Sequence, residues 1–414
     1  MSDYDIAAVR SKFPALGGDQ VYLDNAGGSQ VLGTVIDDIR DYLAKTNVQL
    51  GATYKTGKLS TERYNDGFTA GARYVNSKES EIVFGSSTTQ LFRNASYTFS
   101  FAEGDEVVLS SIDHETNIAP WVDLAERQKL TIKWWTPSLP ASSSSSSKHI
   151  NPELNPSNLA PLLSSRTRLI SLTHASNVLG SITPVAEIVA AVRAGPSPDA
   201  LVAVDGVSYA PHRPLDLHAL GVDLYAFSWY KVYGPHISML YASPRAFAAM
   251  RSLGHYFKKG VNLEEKIGLA GASYELLSGI PSTVSYLSPA PSSTTSPWPG
   301  MIAHEHLLQS TLLKYLKSRS DVTIYGDPTG SSDARVATVS FLIAGWKSQD
   351  VVETVEKETN FGFRWGCFYS ERLCKDLLGL NDDGTIRVSM VHYNTVDEVK
   401  GFIDALEKLI PRKA

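Results

Sequence analysis

The chain has 414 residues, 43% of them hydrophobic and 20% charged, with a formal net charge of −5. A chain of this length buries a large core and divides into two domains, or one large and one small, while an acidic balance with no long basic run excludes nucleic acid or an anionic membrane surface as the main partner and leaves small molecules. Two cysteines, Cys367 and Cys374, are too few for a disulfide framework or a zinc site; with no leader-like start and no run of about 18 apolar residues, the chain is expected in the cytosol, away from membranes.

Seven short apolar runs follow in order: EIVFG at 81–85, DEVVLSS at 105–111, LTIKWW at 130–135, TRLISLTH at 167–174, ALVAVDG at 200–206, DLYAFSW at 223–229 and ISMLYAS at 237–243. They alternate with helix-like stretches. Continuous Val, Ile and Leu without polar alternation reads as strands buried on both faces, so the fold class is α/β, a mostly parallel sheet with helices on both faces. Ser- and Pro-rich stretches at 137–153 and 288–300 read as solvated loops. The second is expected to link a large domain, 36–287, to a smaller α+β domain, 301–414. In that domain RVATVSFLIAG (335–345) and TIRVSMVHY (385–393) read as strands and NTVDEVKGFIDALEKLI (394–410) as a helix. Residues 1–35 are expected to pack on the small domain.

In such sheets ligands bind beyond the carboxyl ends of the strands. The residues there form a consistent set: GSSTTQ with Thr88 and Thr89, then Asp113 and His114, Asn177, Asp205, and Tyr230 with Lys231. Thr88 and Thr89 alone read first as helix-cap residues, although hydroxyls and backbone N–H groups at a helix start also hold phosphate. A lysine amine forms a Schiff base with an aldehyde, and pyridoxal phosphate supplies the aldehyde, a phosphate and a pyridine nitrogen. That nitrogen draws electrons only while protonated, and a neighbouring carboxylate keeps it so. Asp205 suits this task. It precedes Lys231 by 26 residues, about one strand-helix-strand step, which places the two at neighbouring strand ends. His114 is expected over the ring, with Asn177 or Ser208 near its phenolic oxygen.

Seven motifs, YLDNAGGSQ (22–30), GSSTTQ (85–90), DHETNIAPW (113–121), THASNVLG (173–180), VDGVSYAPH (204–212), SWYKVYGP (228–235) and RVSMVHYNTVDEV (387–399), together resemble the class V aminotransferase family of fold-type I pyridoxal-phosphate enzymes, nearest its cysteine desulfurase-like branch. The resemblance makes 36–287 the cofactor-binding domain, with Lys231 the Schiff-base lysine and general base, Asp205 the pyridine partner and His114 the stacking residue. Thr88, Thr89, Ser228 and Tyr230 become phosphate contacts, with Asn177 and Ser208 near the phenolic oxygen. Arg387 becomes the clamp on the substrate carboxylate, and Asn25, in the first motif, a further substrate contact. A homodimer is implied, with AGASYEL (270–276) reaching the partner's phosphate site.

Two positions depart from the branch without loss of hydrogen bonding, Tyr230 in place of His and Ser208 in place of Gln. A larger departure lies in FRWGCFYSERLC (363–374). Five residues after Arg364, where desulfurases of this branch carry a nucleophilic cysteine, stands Tyr369, and Cys367 reads as a small buried hydrophobe. A narrower resemblance, in LTIKWWTP, SNVLGSI, APHRPLD, FSWYK and VSMVHYNTVDEV, is to the subgroup with the decarboxylative aldolase of ustiloxin biosynthesis and the loline-pathway cyclase. It implies an enzyme of specialised metabolism that forms a carbanion or enamine from an α-amino acid, as a lyase or as an aldolase or Mannich-type cyclase with an aldehyde or imine electrophile. The alternatives are a carbon–sulfur lyase, an aminotransferase or epimerase, and a silent scaffold.

Overall fold

The computed structural model describes residues 4–139, 149–288 and 296–412. The seven apolar runs form one sheet: β1 (Ile82–Gly85), β2 (Glu106–Ser110), β3 (Thr131–Trp135), β4 (Thr167–Thr173), β5 (Leu201–Asp205), β6 (Leu224–Ser228) and β7 (Ser238–Ala242), in the order β1-β7-β6-β5-β4-β2-β3. β7 runs antiparallel to both neighbours and the remaining pairs are parallel. Successive side chains of a strand point to opposite faces, and here both faces are covered. Val202, Val204 and Phe227 enter one core, while Leu201, Ala203 and Leu224 enter another. This double burial is why these runs carry no polar alternation; each fully buried Val or Leu contributes about 1.5–3 kcal/mol.

A second sheet contains β8 (Val322–Tyr325), β9 (Thr338–Ile343), β10 (Arg364–Gly366) and β11 (Thr385–Ser389) in the order β10-β11-β9-β8. The helices Trp298–Ser318, Ser348–Glu358 and Val396–Leu409 pack on it through Leu308, Leu312, Val352 and Phe402. Thr395 and Glu398 close the start of the last helix as a reciprocal capping box. Two distant segments complete this region. His149–Ile150 pairs in parallel with β8, and Val21–Tyr22 pairs in parallel with Phe361–Gly362.

The Ser- and Pro-rich stretches need one correction. Residues 140–148 and 289–295 lie outside the described residues, but the helix Trp298–Ser318 already begins inside the expected 288–300 linker. Pro299 sits in its first turn, where a missing N–H costs nothing. Among the described residues no helix is long and apolar enough to cross a membrane.

Candidate active site

β5 and β6 are parallel neighbours, so Asp205 at the end of one and Ser228 at the end of the other open on the same crevice. A helical turn, Trp229–Lys231, follows β6 at once and carries Lys231 into it. The crevice is a cavity of about 420 Å³ lined by Thr88, Thr89, His114, Asn177, Asp205, Ser208, Ser228, Tyr230 and Lys231. A second cavity of about 390 Å³ shares His114, Asn177, Tyr230 and Lys231 and adds Arg364, Phe368 and Arg387. Tyr369 lines both. The two spaces therefore meet at the lysine.

Asp205 is buried, and one carboxylate oxygen accepts the Val207 N–H at 2.8 Å. Burial pushes its pKa up to about 6, against the opposing pull of that N–H and of Lys231. Burial draws Lys231 down to about 8, helped by Arg387 and opposed by Asp205. The amine thus holds a reactive neutral fraction near neutral pH. His114 accepts the Thr116 N–H on Nδ1 at 3.0 Å, and burial, with Lys231 and Arg387 nearby, lowers it to about 4. Its ring is neutral and suited to lie over a conjugated system. The turn that carries it is fixed by Asp113, which accepts the Thr173 N–H at 3.0 Å and the Asn117 amide at 2.8 Å.

At the other end, Ser228 Oγ lies 2.8 Å from the hydroxyls of both Thr88 and Ser238, and Thr89 Oγ1 lies 2.9 Å from Thr116 Oγ1. The helix Thr88–Ser96 starts here, with Ser87 capping it by accepting the Gln90 N–H. Unpaired first-turn N–H groups and the helix dipole favour an anion at this end.

Arg387 is buried beneath the second cavity. Nη2 pairs with Asp24 at 2.6 Å, Nη1 donates to the Asn177 carbonyl at 3.3 Å, and the guanidinium lies 3.7 Å from the centre of the Phe368 ring. Its Nε has no partner among the described residues. Arg364 approaches the same Asp24 carboxylate at 3.8 Å.

One expectation changes and another gains a second task. Asn25 does not face either cavity: its amide nitrogen donates to Tyr22, Ser389 and Asn394, and its oxygen accepts from Tyr393. It ties the N-terminal segment to the small sheet. Asn177 lines both cavities, but its amide donates to the Phe368 carbonyl at 2.9 Å and accepts from Ser370 at 3.0 Å. It anchors the 367–370 loop while lining the cavity, and the amide keeps a second N–H for the expected phenolic-oxygen contact. Sequence reasoning passed over Asp24, Thr116 and Thr173. All three stood inside the motifs above: Asp24 next to Asn25, Thr116 two residues after His114, and Thr173 at the head of THASNVLG, where β4 ends. Cys367 and Cys374 are buried, burial raises both thiols, and neither lines these cavities.

The donor set fits pyridoxal phosphate: an amine in the cavity, a buried carboxylate with one oxygen uncommitted to Val207, a neutral imidazole, and a hydroxyl cluster at a helix start. Fold and site define a fold-type I pyridoxal-phosphate enzyme. Residues 21–402 match the family described as Aminotransferase class-V. Over 413 residues the chain is 48% identical to "Aminotransferase-like protein FGM3" of Gibberella zeae, covering 99% of both chains. It is 36% identical to "Cysteine desulfurase-like protein ustD" of Aspergillus flavus, covering 99% of this chain and 91% of that one. The apo cysteine desulfurase of Thermococcus onnurineus NA1 superposes with a TM-score of 0.83 at 22% identity over 98% of both chains, which shows the fold. The chain belongs to the class-V aminotransferase family, and pyridoxal phosphate is its cofactor.

Proposed function

We propose that the protein is a lyase acting at Cβ of an α-amino acid, with the group lost from Cβ received by no protein thiol. The observation that carries this reading is Tyr369, which lines both cavities at the place where the family resemblance calls for a cysteine, while Cys367 and Cys374 are buried elsewhere. When bound, pyridoxal phosphate withdraws electrons from the bonds at Cα of an attached amino acid. The chain's own residues do the rest. Asp205 holds a proton at the ring nitrogen, His114 covers the ring, and the hydroxyls around Ser228 hold the phosphate with the helix Thr88–Ser96. Lys231 Nζ takes and returns the proton at Cα. Arg387, with Arg364 beside it, holds the substrate carboxylate in place of Asp24.

Two leaving groups divide the reading. Loss of carbon, followed by reprotonation or bonding to an aldehyde or imine, suits a site with no thiol at hand and the narrower resemblance to carbon–carbon bond formers. Loss of sulfur is supported by the similarity to ustD, a cysteine desulfurase-like protein. Both are tested by mass spectrometry of products from the cofactor-loaded protein in heavy water, supplied with L-aspartate, L-cysteine and a panel of aldehydes. Deuterated alanine from aspartate, or an aldehyde adduct, selects the carbon reading; sulfide and alanine from cysteine alone select the sulfur reading. A homodimer belongs to the proposal, with 270–276 reaching the second copy's phosphate site. Borohydride treatment should fix the cofactor to Lys231, and its failure to do so refutes the assignment.

A further inference from the structure

Phe368 and Tyr369 are consecutive aromatic residues in the left-handed region, with φ of 53° and 59°. L side chains avoid this conformation, and glycine adopts it freely. Several contacts hold the turn: the Phe368 carbonyl accepts from Asn177, the Ser370 hydroxyl meets the same amide, and the Tyr369 carbonyl accepts the Glu115 N–H at 2.8 Å. The Phe368 ring also lies on Arg387. The strained backbone does not serve to bury Tyr369, whose residue surface is 73% exposed. It holds the ring 5.2 Å from that of His114, on the wall common to the two cavities. Strain kept for an exposed side chain at a cavity mouth points to a functional contact.

We propose that Tyr369 is a substrate-contact residue: its ring covers the part of the substrate side chain that extends beyond Cβ, so that a ligand reaching past Cβ gains affinity from it. This rests on the lyase reading above, because it requires an amino acid held between Lys231 and Arg387.

The test uses the cofactor-loaded enzyme with two probes that carry no Cα hydrogen, α-methylalanine and α-methyl-L-leucine, titrated by the visible absorbance of the cofactor. Tyr369→Gly should weaken α-methyl-L-leucine about tenfold, the scale of roughly two methylene groups losing a ring contact, and α-methylalanine less than about twofold. Tyr369→Phe should leave both within about twofold of wild type, since the ring remains. The glycine variant should melt at the same temperature as wild type or about 1–2 °C higher, because its backbone strain is relieved. Equal weakening of both probes, or of neither, overturns the proposal, as does a fall of several degrees in Tm, which would make the ring a structural prop. If wild-type enzyme responds to neither probe, the role of Tyr369 is overturned, while the lyase reading stands or falls separately on the product analysis above.

Discussion

Replacing Lys231 by methionine should stabilise the cofactor-free protein at neutral pH. The amine falls from its ordinary 10.5 to about 8, chiefly through burial. At 1.36 kcal/mol per pH unit, the cationic form costs the fold about 3 kcal/mol. The sign follows from linkage. Below about pH 8 the amine is charged in both the folded and the unfolded chain and the cost is full; above about 10.5 it is neutral in both and the cost is gone. Methionine keeps most of the stem and removes the charge. Urea unfolding of both cofactor-free proteins at pH 7 and pH 10.5 measures the effect by linear extrapolation. The variant should gain about 3 kcal/mol at pH 7 and under about 1 kcal/mol at pH 10.5. Titrating groups remote from the site are common to the two proteins and cancel in the difference, whereas Asp205 and His114 feel the Lys231 charge and shift with its removal. An equal gain at both pH values would show that packing, not the buried charge, sets the effect, and would refute the argument.

Three more outcomes are expected. Asp205→Asn should retain the cofactor absorbance but lower kcat by about 100-fold or more, because an amide does not keep the ring nitrogen protonated; an unchanged kcat would remove Asp205 from that role. Arg387→Lys keeps the charge but loses the fork and the stacking on Phe368, so KM should rise about tenfold or more with kcat less affected, and steady-state kinetics with the substrate found above decides it. Iodoacetamide at pH 8 should label Cys367 and Cys374 at least about tenfold more slowly in native protein than in urea, since both thiols are buried and raised; fast native labelling of Cys367 would return a thiol to the chemistry.

The large sheet was legible because its strands are buried on both faces, and a run such as LVAVD admits few other readings. The small sheet was legible only at its centre. β9 and β11 have apolar runs, whereas β8 is four residues long and β10 carries Arg364, Trp365 and Gly366 at a sheet edge. The strand His149–Ile150 follows a serine tract and has no local signal, because its partner β8 lies far along the chain. In the site, Lys231, Asp205 and His114 were visible because strand ends are where such chemistry collects. The task of Asn25 depends on Ser389, Asn394 and Tyr393, and that of Asn177 on Phe368 and Ser370. No spacing rule connects residues so far apart. The left-handed turn at Phe368 and Tyr369 is equally silent, since its residue types argue against the conformation they adopt.

The parallel pairing of Val21–Tyr22 with Phe361–Gly362 has a consequence for synthesis. The two segments are about 340 residues apart, so at about 5–20 residues per second the first leaves the ribosome roughly 20–70 s before its partner exists. All seven strands of the large sheet lie between residues 82 and 242 and can pair within that interval. Leu23, buried in the small-domain core, has to wait. The nascent chain therefore carries an apolar, unpaired segment ahead of an already folded sheet, and the Asp24–Arg387 contact beneath the second cavity is among the last to close.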